Sequence, residues 1–258
     1  MTPSLAMIED WARQAGKILS ANFGCTHSID HKGITDLVTE VDRQSEDLLV
    51  GLLHKNFPSH TILTEESGLL KAENSQKVWY IDPLDGTTNY AHNLPIFSIS
   101  IAYAEDGVVK MGLVYDPMRD ECFSAQLGGG ATLNGVPMHV SNTHTLIESL
   151  LVTGFPYDTL TSSYNNLDFF SRFSMLTQGV RRLGSAALDL AYVAAGRLDG
   201  YWEIKLKPWD VAAGALLVQE AGGIVTGMRG QPDFMVPPNS VLAANSILHP
   251  MMLDILEE

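Results

Sequence analysis

Apolar residues recur every three to four positions through the first 55 residues, which is the spacing of amphipathic helices. A first helix is predicted from Thr2-Pro3, read as its N-cap and first turn, to Gly24, with the apolar positions Leu5, Ile8, Trp11, Ala12, Ala15, Ile18 and Leu19. A second helix begins at the capping-box sequence from Thr39 to Asp42 and ends before Pro58. Two helices therefore precede the first predicted strand.

Short β-branched segments and turn dipeptides dominate the next part of the chain. Strands are predicted at 60–64 and 78–81, each followed by carboxylates, and repeated turn signals from 96 to 140 predict an antiparallel meander. Strands at 149–153, 224–226 and 241–244 then alternate with helices at about 167–176, 185–195 and 208–221. The fold class predicted from this order is layered α+β, with no linker or repeat between the halves.

Charge and cysteine content narrow the possible functions. The chain has 16 Lys and Arg against 30 Asp and Glu, a net charge of −14, so no direct nucleic-acid binding is expected. The same charge would repel a phosphorylated metabolite unless carboxylates surround divalent cations. Cys25 and Cys122 show neither disulfide nor zinc spacing, which fits a cytoplasmic protein, and no apolar stretch is long enough to predict a membrane span.

The stretch from Asp82 to Asn89 carries the densest set of oxygen donors. Asp82, Asp85, the Leu84 carbonyl and the Thr87 hydroxyl fall within six positions, and oxygen donors of this kind are the ligands that Mg²⁺ prefers. A plain alternative exists, because Asp-Pro and Asp-Gly also build tight turns for conformational reasons. Capping alone could likewise explain Asp42 and Asp210, and a solvated loop entry could explain Glu65 and Glu66.

Four ordered sequence blocks resemble the signatures of the inositol monophosphatase family. They read DLVTEVD at 36–42, TEESG at 64–68, WYIDPLDGTTNY at 79–90 and PWDVAAG at 208–214, so the resemblance spans most of the chain. The segment GSAALDLAYVAAGR at 184–197 is most similar to the bacterial SuhB type. The resemblance implies an α-β-α-β-α sandwich like that of fructose-1,6-bisphosphatase. It also implies a single unit over 1–258, with a metal-site half to about 145 and a substrate-recognition half after it.

The resemblance also implies site residues, carried over position by position. Two to three Mg²⁺ ions are expected, with Glu65, Asp82, the Leu84 carbonyl and Thr87 around the first. The second ion would be bound by Asp82, Asp85 and Asp210, and Glu65 would also contribute to binding a third ion. The expected catalytic residues are Glu65, Thr87 and Asp42, the last two positioning the attacking water. Substrate would be bound by Gly86, Thr87, Thr88, Gly184, Ser185, Ala186 and Glu203, with Lys32 in a lid loop.

The implied function is Mg²⁺-dependent hydrolysis of myo-inositol monophosphates by metal-activated water, in a lithium-sensitive homodimer. One alternative is fructose-1,6-bisphosphatase or another sugar or nucleotide phosphatase, because Lys205 stands where SuhB-like members usually have glycine and could favour a second anionic group. An alternative of another class is a SuhB-like interaction protein of transcription or RNA processing. Arg181 and Arg182 could serve such a partner, although a substrate-side or dimer-interface role is simpler.

Overall fold

The computed structural model describes residues 2–25, 29–31, 37–72, 74–236 and 239–257. Lys32 and Asp36 lie outside these ranges. The helices are α1 Leu5–Asn22, α2 Glu40–Asn56, α3 Thr87–Ala91, α4 Leu167–Leu176, α5 Ala186–Ala194, α6 Pro208–Glu220 and α7 Leu248–Glu257. The strands are β1 Ile29–His31, β2 Leu37–Thr39, β3 His60–Thr64, β4 Gly68–Leu70, β5 Asn74–Asp85, β6 Ser98–Glu105, β7 Val108–Asp116, β8 Glu121–Gln126, β9 Gly130–Leu133, β10 Val136–Pro137, β11 Leu150–Thr153, β12 Gly179–Arg181, β13 Gly200–Ile204, β14 Ile224–Thr226 and β15 Ser240–Ala244.

Two large sheets organise these strands. The first has eight strands in the order β10-β9-β8-β7-β6-β5-β3-β4, and only β3 and β5 pair in parallel. Strands β5 to β10 pair antiparallel in sequence order, so the predicted meander is confirmed. The second sheet has five strands in the order β12-β11-β13-β15-β14, with β11 parallel to both of its neighbours. No helix of the described residues is both long enough and apolar enough to cross a membrane.

Three apolar cores hold helices and sheets in layers. One core joins α1 and α2 to an outer face of the eight-stranded sheet, around Trp11 and Trp79. The middle core packs α5 and α6 between the two sheets, and the third packs α4 and α7 on the far face of the five-stranded sheet. The order helix, sheet, helix, sheet, helix confirms the predicted layered α+β class.

Local sequence explains where several helices begin. The capping box of α2 is confirmed, because the Thr39 N–H donates to Asp42 Oδ2 at 2.9 Å while Thr39 Oγ1 accepts from the Asp42 N–H. The predicted start of α1 at Thr2 is wrong, because Ser4 is the N-cap and accepts from the Met7 N–H at 3.4 Å. Helix α6 begins at Pro208, as predicted, since a proline needs no N–H partner in a first turn.

Residues 82–86 form a bulged strand end that contains an Asx turn, in which Asp82 Oδ1 accepts from the Leu84 N–H at 3.0 Å. Strand β5 continues to Asp85, which pairs with Ser98, and a register shift between Asp82 and Asp85 accommodates the intervening residues as a bulge. Pro83 fits this bulge because it has no N–H to donate to the ladder. The bulge redirects the strand just before Gly86, and α3 starts at Thr87.

Candidate active site

A cavity of about 580 Å³ opens where the end of β5, the start of α3, the start of α5 and the start of α6 meet. Two of the site residues predicted from the sequence do not line it, Asp42 and Lys32, and Lys32 lies outside the described residues. All the others do: Glu65, Asp82, Leu84, Asp85, Gly86, Thr87, Thr88, Gly184, Ser185, Ala186, Glu203 and Asp210. These residues come from five separate parts of the chain. The fold therefore brings them to one place, although their individual roles stay predictions.

Four of the carboxylates that line this cavity, Glu65, Asp82, Asp85 and Asp210, have charges that oppose one another. Burial raises the pKa of Asp82 well above its usual value, and the charges of Glu65, Asp85 and Asp210 raise it further. Burial likewise raises the pKa of Asp85 to about 6, and that of Asp210 well above the ordinary range. A compact group of buried like charges is a site that gains stability from a divalent cation.

Backbone and hydroxyl donors fix two of these carboxylates. Asp85 Oδ2 accepts from Ser185 Oγ at 2.6 Å and from the Ala187 N–H at 2.8 Å. Asp210 Oδ2 accepts from the Lys207 N–H at 2.7 Å, at the start of α6. Held in this way, the carboxylates line one cavity, but no three His, Cys, Asp or Glu side chains of the described residues form a closed metal-binding group.

The donor set nevertheless fits Mg²⁺ on chemical grounds. It consists of carboxylate, carbonyl and hydroxyl oxygens, with no thiol or imidazole among the cavity residues to favour zinc. Mg²⁺ keeps several waters and uses one or two carboxylates together with substrate phosphate, so it does not require a closed protein cage. The raised pKa values of Asp82, Asp85 and Asp210, caused first by burial and for Asp82 and Asp210 also by neighbouring carboxylates, are the electrostatic signature expected of such a site.

Asp42 reaches the cavity through Thr87. Thr87 Oγ1 donates to Asp42 Oδ1 at 2.9 Å, and it also lies 3.1 Å from the Leu84 carbonyl oxygen. Asp42 is 1% exposed, and burial raises its pKa even though Thr39 and Thr87 donate to it. The carboxylate that caps α2 therefore also orients the first side chain of α3, so the capping and functional interpretations of Asp42 are compatible.

Gly86 allows the chain to pass closely between two parts of the site. Its φ is 101°, and a Cβ there would lie 3.0 Å from the Ile96 carbonyl oxygen and 3.2 Å from that of Gly184. Asn89 ties the same parts together, because its Nδ2 donates to the carbonyls of Ile96 and Leu183 at 2.8 and 2.7 Å. The loop around Gly184 is thereby held against the end of β5.

The same cavity is lined by two further buried acids, of which only Glu203 was predicted. Glu203 Oε2 accepts from the Tyr201 hydroxyl at 2.7 Å, and burial raises the pKa of Glu203 to about 7. Asp189, on α5, lines the same cavity at 1% exposure, and among the described residues its Oδ1 has no hydrogen-bond partner. The sequence offered only one signal that Asp189 belongs to the site, which is its position in the first turn of a predicted helix, four residues after Ser185.

Glu46 is a second residue that the sequence analysis missed. It is buried in α2 and accepts from Thr64 Oγ1 at 2.5 Å, from the Glu66 N–H at 3.0 Å and from Ser67 Oγ at 2.5 Å. These bonds fasten the backbone on both sides of Glu65 to α2. The loop that presents Glu65 to the cavity is thus attached to α2, while Glu65 and Glu66 themselves stay partly exposed.

Lys205 is engaged by protein groups. Its Nζ lies 2.6 and 2.9 Å from the two carboxylate oxygens of Asp158 and 2.8 Å from Ser162 Oγ. The expectation that Lys205 offers a free charge to a second anionic group is therefore weakened. Arg182 also lines the cavity, with its guanidinium 5.3 Å from the centre of the Phe155 ring.

Comparisons with known proteins agree with this fold. The model of the inositol monophosphatase family matches residues 1–258. The chain is 42% identical to the Nus factor SuhB of Escherichia coli K12, over 100% of this chain and 97% of that one. It is 47% identical to the inositol-1-monophosphatase of Synechocystis, over 91% of this chain and 82% of that one. The crystal structure of the extragenic suppressor protein suhB from Bartonella henselae superposes with a TM-score of 0.92 at 37% identity, covering 99% of each chain.

A family model that matches the full length and relatives above 40% identity establish the class of protein. The chain belongs to the inositol monophosphatase family. It is a phosphatase enzyme with the layered fold of that family. The resemblance noted from four sequence blocks is therefore confirmed.

Proposed function

We propose that the chain is a Mg²⁺-dependent phosphomonoesterase that hydrolyses myo-inositol monophosphates to inositol and phosphate. The observation that carries the proposal is the single cavity of about 580 Å³ in which Glu65, Asp82, Asp85 and Asp210 face the residues expected to bind a polyol. The family match supports phosphatase chemistry, and the Synechocystis relative named inositol-1-monophosphatase supports the substrate class.

Two or three Mg²⁺ ions are proposed to bind the carboxylates. Glu65, Asp82 and the Leu84 carbonyl would hold the first ion, Asp82, Asp85 and Asp210 the second, and Glu65 would contribute to a third. When bound, the ions supply Lewis-acid stabilisation of the charge that develops on the attacking and leaving oxygens. Occupation of the second position by Li⁺ after substrate binding is the proposed origin of lithium sensitivity.

The residues around Thr87 are proposed to orient water and phosphate. The hydroxyl of Thr87 is held by Asp42, which is itself fixed by Thr39, so this hydroxyl has a defined direction at the cavity wall. The backbone N–H groups of Gly86, Thr87 and Thr88 are proposed to donate to phosphate oxygens. Gly86 has no side chain to obstruct that approach, and its left-handed φ aims the following residues into the cavity wall.

The leaving alcohol is proposed to contact the part of the cavity wall formed by Glu203 and residues 184–186. Glu203 presents a buried carboxylate that can accept from ring hydroxyls, and its Tyr201 partner keeps it in place. Residues 184–186 provide the adjacent surface, fixed by Ser185 to Asp85 and by Asn89 to Leu183. An alcohol with several hydroxyls matches this wall better than a simple alkyl group.

A second role as an interaction protein is proposed on one observation. The relatives at 42% identity over the full chain carry the name Nus factor, so a partner in the transcription machinery is a candidate for this chain as well. We further propose that the chain forms a homodimer. We also propose a cytoplasmic location, with which the free thiols of Cys25 and Cys122 agree. The fructose-1,6-bisphosphatase alternative loses local support because Lys205 is paired with Asp158.

The proposed function is tested by measuring phosphate release from inositol 1-phosphate, fructose 1,6-bisphosphate, adenosine 2′-phosphate and glycerol 2-phosphate with Mg²⁺ present. We expect the highest kcat/KM with inositol 1-phosphate. A higher kcat/KM with fructose 1,6-bisphosphate would replace the proposal by its nearest alternative. No release from any ester, in a folded protein, would leave the interaction role as the better proposal.

A further inference from the structure

The residues from Gly154 to Asn166 form one wall of the cavity, and we call them the rim segment. Gly154, Phe155, Pro156, Tyr157 and Asp158 line the cavity, whereas Leu160 is 89% exposed at the outer side. The segment contains no helix or strand, so its position against the cavity depends on side-chain contacts.

Asn166 closes the base of the rim segment. This residue is 3% exposed, and its Nδ2 donates to Thr153 Oγ1 at 2.8 Å and to the Gly154 carbonyl at 2.6 Å. Its Oδ1 accepts from Trp202 Nε1 at 2.7 Å, which attaches the base to the five-stranded sheet. The two ends of the segment are therefore fixed next to each other, and Phe155 also packs against Phe170 with ring centres 5.6 Å apart. The middle of the segment has a further contact.

Lys205 supplies that contact to the middle of the segment. Its Nζ donates to both oxygens of Asp158 and to Ser162 Oγ, and it lies 6.0 Å from the centre of the Tyr164 ring. These three partners span seven residues of the rim segment. The backbone of Lys205 is also anchored, because its N–H donates to the Asn239 carbonyl at 2.7 Å although its φ is 60°.

We propose that Lys205 is a positioning residue that determines specificity, because its ion pair with Asp158 holds the rim segment against the cavity and limits the size of the leaving alcohol. This inference rests on the proposed phosphatase function and refines it. Glycine at this position could adopt the same backbone conformation but could not reach the rim segment. An enzyme with lysine here should discriminate more strongly against bulky alcohols than the same enzyme without the ion pair.

The experiment compares kcat/KM for a bulky ester, adenosine 2′-phosphate, with that for a small one, glycerol 2-phosphate. Lys205→Met keeps a non-glycine residue at positive φ, and Asp158→Asn removes the partner charge. Each substitution is expected to raise the selectivity ratio, which is kcat/KM for adenosine 2′-phosphate divided by kcat/KM for glycerol 2-phosphate, by about 10-fold. A change of this size is typical when the wall of a pocket is reshaped. The double variant should show no further change, since both substitutions break one contact. Exchanging the two charges, Asp158→Lys with Lys205→Asp, should return the ratio to within about 3-fold of wild type.

Lys77→Met is the matched control, because Lys77 forms an ion pair with Glu105 at 3.4 Å and neither residue lines the cavity. It should leave the ratio of the two kcat/KM values unchanged. An unchanged ratio in Lys205→Met, or strictly additive effects of the two single substitutions, would overturn the proposal.

Limited proteolysis separates failure of this inference from failure of the proposed function. Cleavage between residues 157 and 166 should be about 10-fold faster in Lys205→Met and in Asp158→Asn than in wild type or Lys77→Met. Equal cleavage rates would show that the ion pair does not hold the segment. Faster cleavage with an unchanged selectivity ratio would overturn the link to specificity, and a wild-type protein that hydrolyses no ester would overturn the proposed function itself.

Discussion

Replacing Asp82 by asparagine should separate activity from stability. Asp82 is 2% exposed and lies among the cavity carboxylates, where we propose that it is shared by two ions. The amide keeps the shape of the side chain but removes the charge that both ions would use. We expect kcat to fall on the order of 10³-fold at saturating Mg²⁺, because stabilisation of the attacking and leaving oxygens weakens together.

The same substitution should stabilise the metal-free protein. The folded-state pKa of Asp82 is raised by burial and then by Glu65, Asp85 and Asp210, so the ionised carboxylate destabilises the fold above its unfolded-state pKa. In EDTA at about pH 7, Asp82→Asn should therefore raise Tm by about 2 to 4 °C for each 1 kcal/mol of repulsion relieved. The gain should shrink as the pH falls through the raised folded-state pKa, and it should vanish below the unfolded-state pKa of about 3.9, where the wild-type carboxyl is neutral in both states.

Asp116→Asn is the matched control for these measurements. Asp116 is fully buried outside the cavity, and it accepts from the Met118 and Arg119 N–H groups and pairs with the Arg119 guanidinium at 2.7 Å. This variant should lose Tm and keep kcat, the reverse of Asp82→Asn. Near-normal kcat in Asp82→Asn, or a lower Tm in EDTA with the activity loss tracking unfolding, would refute the reasoning.

Three further predictions concern the same cavity. Glu203→Gln should lower kcat/KM for inositol 1-phosphate relative to glycerol 2-phosphate by roughly 10- to 150-fold at unchanged Mg²⁺ affinity, since a charged acceptor is lost. Because burial raises the pKa of Glu203 to about 7, this preference in wild type should weaken as pH falls below about 7, and a pH-independent preference would contradict the assignment. Asp189→Asn should raise Tm at neutral pH but not at low pH, because burial raises the pKa of Asp189 well above its usual value. A lower Tm of this variant at neutral pH would show that the charge of Asp189 is compensated in wild type. Millimolar LiCl should inhibit phosphate release, and a rate insensitive to Li⁺ would argue against the proposed second ion.

Helices and hairpins were predictable because their signals are local. The capping box at Thr39, the proline at the start of α6 and the turn dipeptides between β6 and β10 act within a few residues of the chain. The short elements β1, β2, β4, β12 and α3 were missed, and so was the ten-residue helix α7. Strands of three residues have little intrinsic preference, so their pairing with long neighbours decides their conformation.

Side-chain contacts across the fold were beyond sequence reasoning. Lys205 and Asp158 are separated by 47 positions, and neither flanking sequence indicates the other. Glu46 lies on an α2 face that reads as ordinary helix surface, yet it is buried by the loop that presents Glu65. The resemblance indicated which residues gather at the cavity, but only the three-dimensional arrangement shows which neighbours hold them there.

The central claim is that a divalent cation at the cavity carboxylates is required for phosphate ester hydrolysis. The most direct measurement is phosphate release from inositol 1-phosphate by protein dialysed against EDTA, before and after Mg²⁺ is restored. The account predicts no release above background without metal and full recovery with Mg²⁺. Full turnover after verified removal of divalent metal would contradict it.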